Sequence, residues 1–172
     1  KKIKIRGCLY ILGGAKPEDN IKLLKGNKVL ACGLFGQCCL ISKGKNLGYQ
    51  NKYLKKEKAL IKIPLKKLRN VLTPVDFAVK INEKRKELPL GQFPNNYEIF
   101  DIGEETIKKY TAEIKKAKAI YMKGPAGDAA EKGFEKGTFE ILKAISKSKG
   151  FSLIGGGHLS DAIEKSKIPK NK

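Results

Sequence analysis

What most constrains this chain is a pattern that recurs along it: a short apolar run, a glycine-rich break, then a helical pattern. Gly7-Cys8-Leu9-Tyr10-Ile11-Leu12 fits a buried strand. Gly13-Gly14-Ala15-Lys16 breaks it, and Pro17 stands where a first helical residue would, followed by Glu18 and Asp19. Lys28-Val29-Leu30-Ala31 leads through Gly33-Leu34-Phe35-Gly36 into an apolar helix ending near Ile41. Ala119-Ile120-Tyr121-Met122 is closed by Gly124-Pro125-Ala126-Gly127. Phe151-Ser152-Leu153-Ile154 reads as a buried strand that meets Gly155-Gly156-Gly157-His158 before a helix opens at Leu159. Strands alternating with helices imply right-handed crossovers and a parallel sheet with helices on both faces, a Rossmann-like three-layer α/β fold. Ligands of such sheets bind beyond the carboxyl ends of the strands. All four glycine groups fall there.

That convergence narrows the chemistry. A loop without side chains lets backbone N–H groups approach a ligand closely, and a helix start adds partial positive charge, so phosphate is the natural guest. Neither G-x-x-x-x-G-K-[ST] nor G-x-G-x-x-G occurs, which removes a P-loop and a dinucleotide fingerprint. No G-x-S-x-G elbow is present, and no motif pairs the one histidine, His158, with a nucleophile. Glu18 and Asp19 would repel a phosphate on the first helix, so Lys16 has to offset them. The residues alone point to a phosphate or nucleotide pocket.

The formal net charge of +20, from 37 Lys and Arg against 17 Asp and Glu, favours an anionic ligand or partner. The lysines are scattered through every segment, and the aromatics do not alternate with them as a stacking platform would require. A solvated lysine-rich surface accounts for the charge better than nucleic acid does. Cys8, Cys32, Cys38 and Cys39 form no C-x-x-C pair, so they are expected as small buried hydrophobes in a reducing cytosol rather than zinc ligands. No apolar run is long enough to cross a bilayer, and the first six residues alternate instead of forming a leader. The expectation is a soluble, cytoplasmic chain forming one domain over residues 1–172.

Between the glycine groups the signals are weaker. A helix is expected from about Asn51. Residues 61–64 and 71–75 read as strands bracketing a lysine-rich turn, and Phe77–Ile81 alternates as a half-exposed strand does. Residues 82–97 read as a surface loop. Ile99 to Gly103 lead into a helix with Ile107, Tyr110, Ile114 and Ala117 on one face, and Phe134, Thr138, Ile141 and Ile145 mark another running to Lys149.

Taken together, the motifs resemble the C-terminal, nucleotide-binding half of phosphoglycerate kinase. The matching pieces, in the family's order, are Ile11-Leu12-Gly13-Gly14-Ala15-Lys16, Gly33-Leu34, Thr73-Pro74-Val75-Asp76-Phe77, Asp101-Ile102-Gly103, Gly124-Pro125-Ala126-Gly127, Gly137-Thr138 and Ile154-Gly155-Gly156-Gly157. They cover essentially the whole chain, and a histidine after the glycines is similar to archaeal members. The resemblance implies reversible phosphoryl transfer between 1,3-bisphosphoglycerate and ADP. Gly13, Gly14, Ala15, Lys16 and Gly33 would border the nucleotide, and Gly124 and Pro125 would flank the adenosine. Gly155, Gly156 and Gly157 would offer N–H groups to the phosphates and to the group in flight, with Lys16 as a point charge. His158 and Leu159 would continue that cradle, His158 being equally readable as a loop or helix-capping residue.

The resemblance also carries departures. Asn20 stands where the family often has a second lysine. The acid that typically holds the ribose aligns with Ala130, and Glu131 beside it could substitute. Because His158 replaces a metal-associated aspartate of other branches, Mg²⁺ would rest on the nucleotide phosphates and water, with Asp161 as an outer-shell helper and no residue assigned as metal ligand. The family's substrate-binding half would precede residue 1, and a last glycine-rich segment would follow Lys172. The expected partners are therefore ADP or ATP and that N-terminal half, with the fragment a monomer that binds Mg-nucleotide without turning over. A nucleotide or phosphate sensor that lost its chemistry is the main alternative, and a basic nucleic-acid binder ranks last.

Overall fold

The computed structural model describes residues 7–24 and 26–166, with the backbone but not the side chain of His158. In chain order the first half holds β1 (Leu9–Leu12), α1 (Pro17–Ile21), β2 (Val29–Ala31), α2 (Gly33–Ser42), α3 (Tyr49–Lys56), β3 (Val71–Leu72), β4 (Asp76–Ile81) and β5 (Lys84–Pro89). The second half holds β6 (Ile99–Ile102), α4 (Glu104–Lys116), β7 (Ala119–Lys123), α5 (Lys136–Lys147), β8 (Phe151–Gly155) and α6 (Gly157–Ser166). Five parallel strands form the main sheet in the order β3-β2-β1-β7-β8.

Helices flank that sheet on both faces, as the alternation of strands and helices predicts. Leu9, Ile11, Leu30, Ile120 and Met122 face Tyr110 and Ile114 of α4, Ile141 and Ile145 of α5, and Leu159 and Ala162 of α6. The alternate residues Leu12, Val29 and Ala31 face Phe35, Cys38 and Cys39 of α2. Both sides of each central strand are thus apolar, which is why these strands read as continuous hydrophobic runs. The Tyr110 hydroxyl reaches the carbonyls of Ala31 (2.7 Å) and Leu72 (3.0 Å), tying α4 to the ends of β2 and β3.

The segment between β3 and α4 departs from the sequence reading. Residues 61–64 form no strand, Leu65–Leu68 form a 3-10 turn, and only Val71 and Leu72 pair with β2. Pro64 and Pro74 have no N–H to give a ladder, which limits strand length on either side. The expected surface loop at 82–97 contains β5, and it pairs antiparallel with β4 in a second sheet of order β5-β4-β6. Its hairpin turns on Asn82 and Glu83, both with positive φ (49° and 58°), directly after the Ile81–Lys84 pair. A two-residue turn of that kind usually announces itself by glycine, and Asn-Glu is a fainter signal. Ile99–Ile102 therefore joins an antiparallel partner instead of extending the parallel repeat.

Two carboxylates from this second sheet hold the helices of the first. Asp76 of β4 accepts from the N–H groups of Glu105 (2.9 Å) and Thr106 (2.8 Å) and from the Thr106 hydroxyl (2.5 Å), capping α4. Asp101 of β6 accepts from the N–H of Gly137 at 2.7 Å and so caps α5. The strand β8 is also a correction: it lies at the sheet edge with Phe151 59% and Leu153 57% exposed, instead of buried. Among the described residues no helix is long and apolar enough to cross a membrane.

Candidate nucleotide site

The chain starts the main sheet at β1, builds outward to β3, and returns to the other side of β1 with β7. The order reverses between β1 and β7, and such a switch point opens a crevice at the carboxyl ends of the strands. The glycine loops close around it. The N–H of Gly14 donates to the Pro125 carbonyl (2.9 Å), that of Gly33 to Ala126 (2.7 Å), and that of Gly124 to Gly155 (3.4 Å). A Cβ on Gly33 would sit 2.7 Å from the Gly14 nitrogen, and one on Gly124 would sit 2.7 Å from the Gly13 carbonyl carbon. Both glycines also have positive φ. Here the missing side chains let four loops stack backbone on backbone.

The triple glycine behaves differently. Gly155 ends β8, Gly156 (φ 120°) turns the chain, and Gly157 opens α6. A Cβ on Gly156 would approach only the Gly124 nitrogen, at 3.7 Å, and one on Gly157 would meet nothing within 4 Å. The space beside Gly157 is open, and in the first turn of α6 the N–H groups of Leu159 and Ser160 donate to the Gly156 carbonyl (3.1 and 3.3 Å), which leaves those of Gly157 and the next residue as the donors at the helix start.

A cleft of about 330 Å³ runs from the loops after β1, β2 and β7 toward the second sheet; Gly155, Gly156 and Gly157 are not among the residues that line it. The α2 turn supplies Gly33, Leu34 and Gln37; α3 supplies Gln50 and Tyr53; Phe77 and the strand β6 form the floor; Pro125 to Ala130 and the α6 residues Asp161, Ala162 and Lys165 close it. Of the residues expected from sequence, Gly14, Ala15, Gly33 and Pro125 line this cleft. Lys16 stands exposed at the N-cap of α1, next in the chain to Ala15, and is not itself among the lining residues. Asp19, whose charge argued against a phosphate here, is paired with Lys123 at 3.6 Å.

Several expected residues have other duties. Gly13 is buried, and its carbonyl accepts from the Asn20 amide nitrogen at 2.9 Å. Asn20 is itself 1% exposed, so it fastens the β1 loop from beneath. The Leu159 side chain is in the core, and its N–H donates to the Gly156 carbonyl at 3.1 Å. Glu131 lies in an adjoining hollow with its carboxylate paired to Lys80 at 2.5 Å. The His158 side chain lies outside the described residues.

The sequence reading missed the amides Gln37 and Gln50 and the carboxyls Glu98, Asp101 and Asp128, all of which line the cleft. Burial and the nearby Asp128 charge push the Glu98 carboxyl up. Burial pushes Asp101 up to about 6 even though Arg85 donates to it at 2.8 Å. The four cysteines are free, three of them buried, and burial pushes Cys39 up to about 12, which makes it a poor nucleophile at neutral pH. Among the described residues no three His, Cys, Asp or Glu side chains cluster to hold a metal.

The phosphoglycerate kinase profile matches residues 2–172. The chain belongs to the phosphoglycerate kinase family. It is 41% identical over 173 residues to phosphoglycerate kinase of Methanothermus fervidus, covering 92% of this chain and 42% of that protein. The enzyme of Methanothermobacter thermautotrophicus is 39% identical, with 93% and 42% covered. Among solved structures, the crystal structure of phosphoglycerate kinase from Pyrococcus horikoshii superposes with a TM-score of 0.86 at 35% identity, over 95% of this chain and 45% of that one. The chain thus spans less than half the length of these relatives.

Proposed function

We propose that this chain is the nucleotide-binding, C-terminal half of a phosphoglycerate kinase and that it binds Mg-ADP or Mg-ATP at the glycine-lined crevice. The observation that carries this reading is the meeting of four glycine loops at the sheet's switch point, beside a cleft that none of their side chains obstructs. The phosphates would lie along the start of α6, where there is open space at Gly157 and the first two backbone N–H groups, ahead of those of Leu159 and Ser160 that bond Gly156, would serve as fixed donors. Lys16 would supply a point charge from the start of α1. Mg²⁺ would travel on the phosphates, within reach of the exposed carboxyl of Asp161.

In the intact two-domain enzyme these donors would neutralise the charge on a phosphoryl group passing between an acyl phosphate and ADP. Such transfer needs the second half of the site to align the acceptor and exclude water. The 172-residue chain is therefore expected to bind nucleotide and not to turn over. Calorimetric titration with ADP, with and without Mg²⁺, tests the first statement, and absence of binding at millimolar ADP would overturn it. Turnover in a coupled assay by the chain alone would overturn the second. A non-catalytic nucleotide module gains support from Asn20, buried and committed to the Gly13 carbonyl where a second lysine would reach phosphate. Adding the N-terminal half of an archaeal relative and finding no activity would favour that reading.

A further inference from the structure

Away from the cleft, one stretch of surface stands apart by its charge. Between Lys52 and Arg69, eight residues are Lys or Arg and one, Glu57, is acidic. The stretch takes in most of α3, the loop after it and the 3-10 turn Leu65–Leu68. It folds back on itself where the Leu54 carbonyl accepts from the N–H groups of Ala59 (2.9 Å) and Leu60 (3.0 Å). The Ile63 N–H donates to the Ser42 hydroxyl of α2 at 3.0 Å, which fastens the loop to the molecule. Leu54, Ala59, Ile63 and Leu68 pack inward with Phe35 and Cys38, so the cations are left outside. All eight are exposed, and none joins an ion pair among the described residues. On the other face of the main sheet, by contrast, Lys108, Lys116, Lys136 and Lys143 of α4 and α5 each have a glutamate partner.

Two leucines stand among these unpaired cations: Leu60 is 38% exposed and Leu65 is 63% exposed. That mixture says which anionic partner fits. Protein interfaces are depleted in lysine and rely on aromatic and arginine anchors, and single-stranded nucleic acid needs aromatic platforms. The stretch has a single arginine, and its one aromatic residue, Tyr53, is half-buried and lines the cleft. Lysines are point charges on long stems, which anionic headgroups attract without demanding a fixed geometry. Protruding aliphatic side chains between them suit the boundary beneath those headgroups. We infer that the Lys52–Arg69 face docks on an anionic lipid surface, independently of nucleotide in the cleft. The cations lie against the headgroups, and Leu60 and Leu65 enter the acyl boundary.

The test is co-sedimentation of the 172-residue chain with vesicles of phosphatidylcholine alone or with about one-third phosphatidylserine, at about 100 mM salt. The unaltered chain should bind the anionic vesicles and not the neutral ones. Each cation near such a surface adds about fivefold in affinity. Lys55→Gln, Lys56→Gln, Lys66→Gln and Lys67→Gln combined should therefore weaken binding about a hundredfold or more. Lys109→Gln, Lys115→Gln, Lys118→Gln and Lys147→Gln combined remove the same charge from exposed lysines in and after α4 and in α5, and should cost less than about tenfold. Leu60→Ser with Leu65→Ser should weaken vesicle binding about tenfold and leave retention on heparin, a soluble polyanion, unchanged. Equal losses in the two lysine variants overturn the inference, as does binding to neutral vesicles as tight as to anionic ones. A leucine variant that binds anionic vesicles as well as the unaltered chain overturns it too, because the face would then take any polyanion.

Discussion

Gly157 separates two reasons for a glycine. Gly33 and Gly124 are excluded from having side chains by the backbone of neighbouring loops, whereas Gly157 has open space and no positive φ. Alanine at 157 should leave the melting temperature unchanged or slightly raised, because it restricts the unfolded chain at no steric cost. If phosphate sits against the first N–H groups of α6, the added methyl intrudes on it, and ADP affinity should fall about tenfold or more. Unaltered ADP affinity in Gly157→Ala would remove the phosphates from that position. Asp101 makes a second residue-scale prediction. Its folded carboxyl titrates near 6 against an ordinary 3.8, because burial outweighs the help of Arg85 and of the Gly137 and Ile102 N–H groups. Between those values the folded chain binds more protons than the unfolded one, so this group costs stability above pH 6 and the cost is relieved as pH falls. Two units correspond to about 3 kcal/mol. The ¹³C carboxyl resonance of Asp101 should move with a midpoint near pH 6, and a midpoint at or below 3.8 would mean that the Arg85 pair dominates.

At the scale of elements, the second sheet is what positions the helices of the first. Neither α4 nor α5 has a side-chain cap at its own N-cap residue. The caps come from Asp76, on β4, and Asp101, on β6, about thirty residues before the helices they serve. Asp76→Ala should remove three hydrogen bonds at the start of α4 and lower stability by about 2 kcal/mol in urea unfolding. A loss under half of that would show that Gly103 and solvent can cap the helix unaided. This arrangement also explains what the sequence could and could not reveal. The parallel strands and their glycine breaks were legible because Leu9–Leu12 or Ala119–Met122 must be apolar on both faces, and local composition records that. The hairpin of β4 and β5 was not, since Lys84–Pro89 is a charged edge strand and its turn carries no glycine. Gln50 reads as an ordinary helix residue, and only the approach of Ile99 from a distant strand gives its amide a partner. Lys16 and Gly155–Gly157 stand out in the sequence because loop chemistry is local, whereas the walls of the cleft do not, because they are assembled across the chain.

For the whole molecule, the dominant quantity is the net charge of +20. It attracts any polyanion, so retention on nucleic acid in dilute buffer says little about function. The charge is nevertheless not concentrated at the cleft, whose charged lining is Glu98, Asp101, Asp128, Asp161 and Lys165. Some of the lysines elsewhere sit in ion pairs, such as Lys28 with Glu113 and Lys136 with Glu104, which offsets their charge locally. A single-stranded oligonucleotide engaging several scattered lysines would release one counterion for most phosphates it contacts, and its affinity should collapse between about 50 and 200 mM salt. A mononucleotide seated in the proposed crevice would contact fixed backbone N–H donors, which salt screens far less than exposed charge. Anisotropy of a labelled oligonucleotide and calorimetry with ADP, run across that salt range, should therefore diverge: a loss of a hundredfold or more for the oligonucleotide against a few-fold for ADP. Parallel loss of the two would place ADP on the lysine surface and not in the crevice. An oligonucleotide that survives 200 mM salt and competes with ADP would return the nucleic-acid reading to first place.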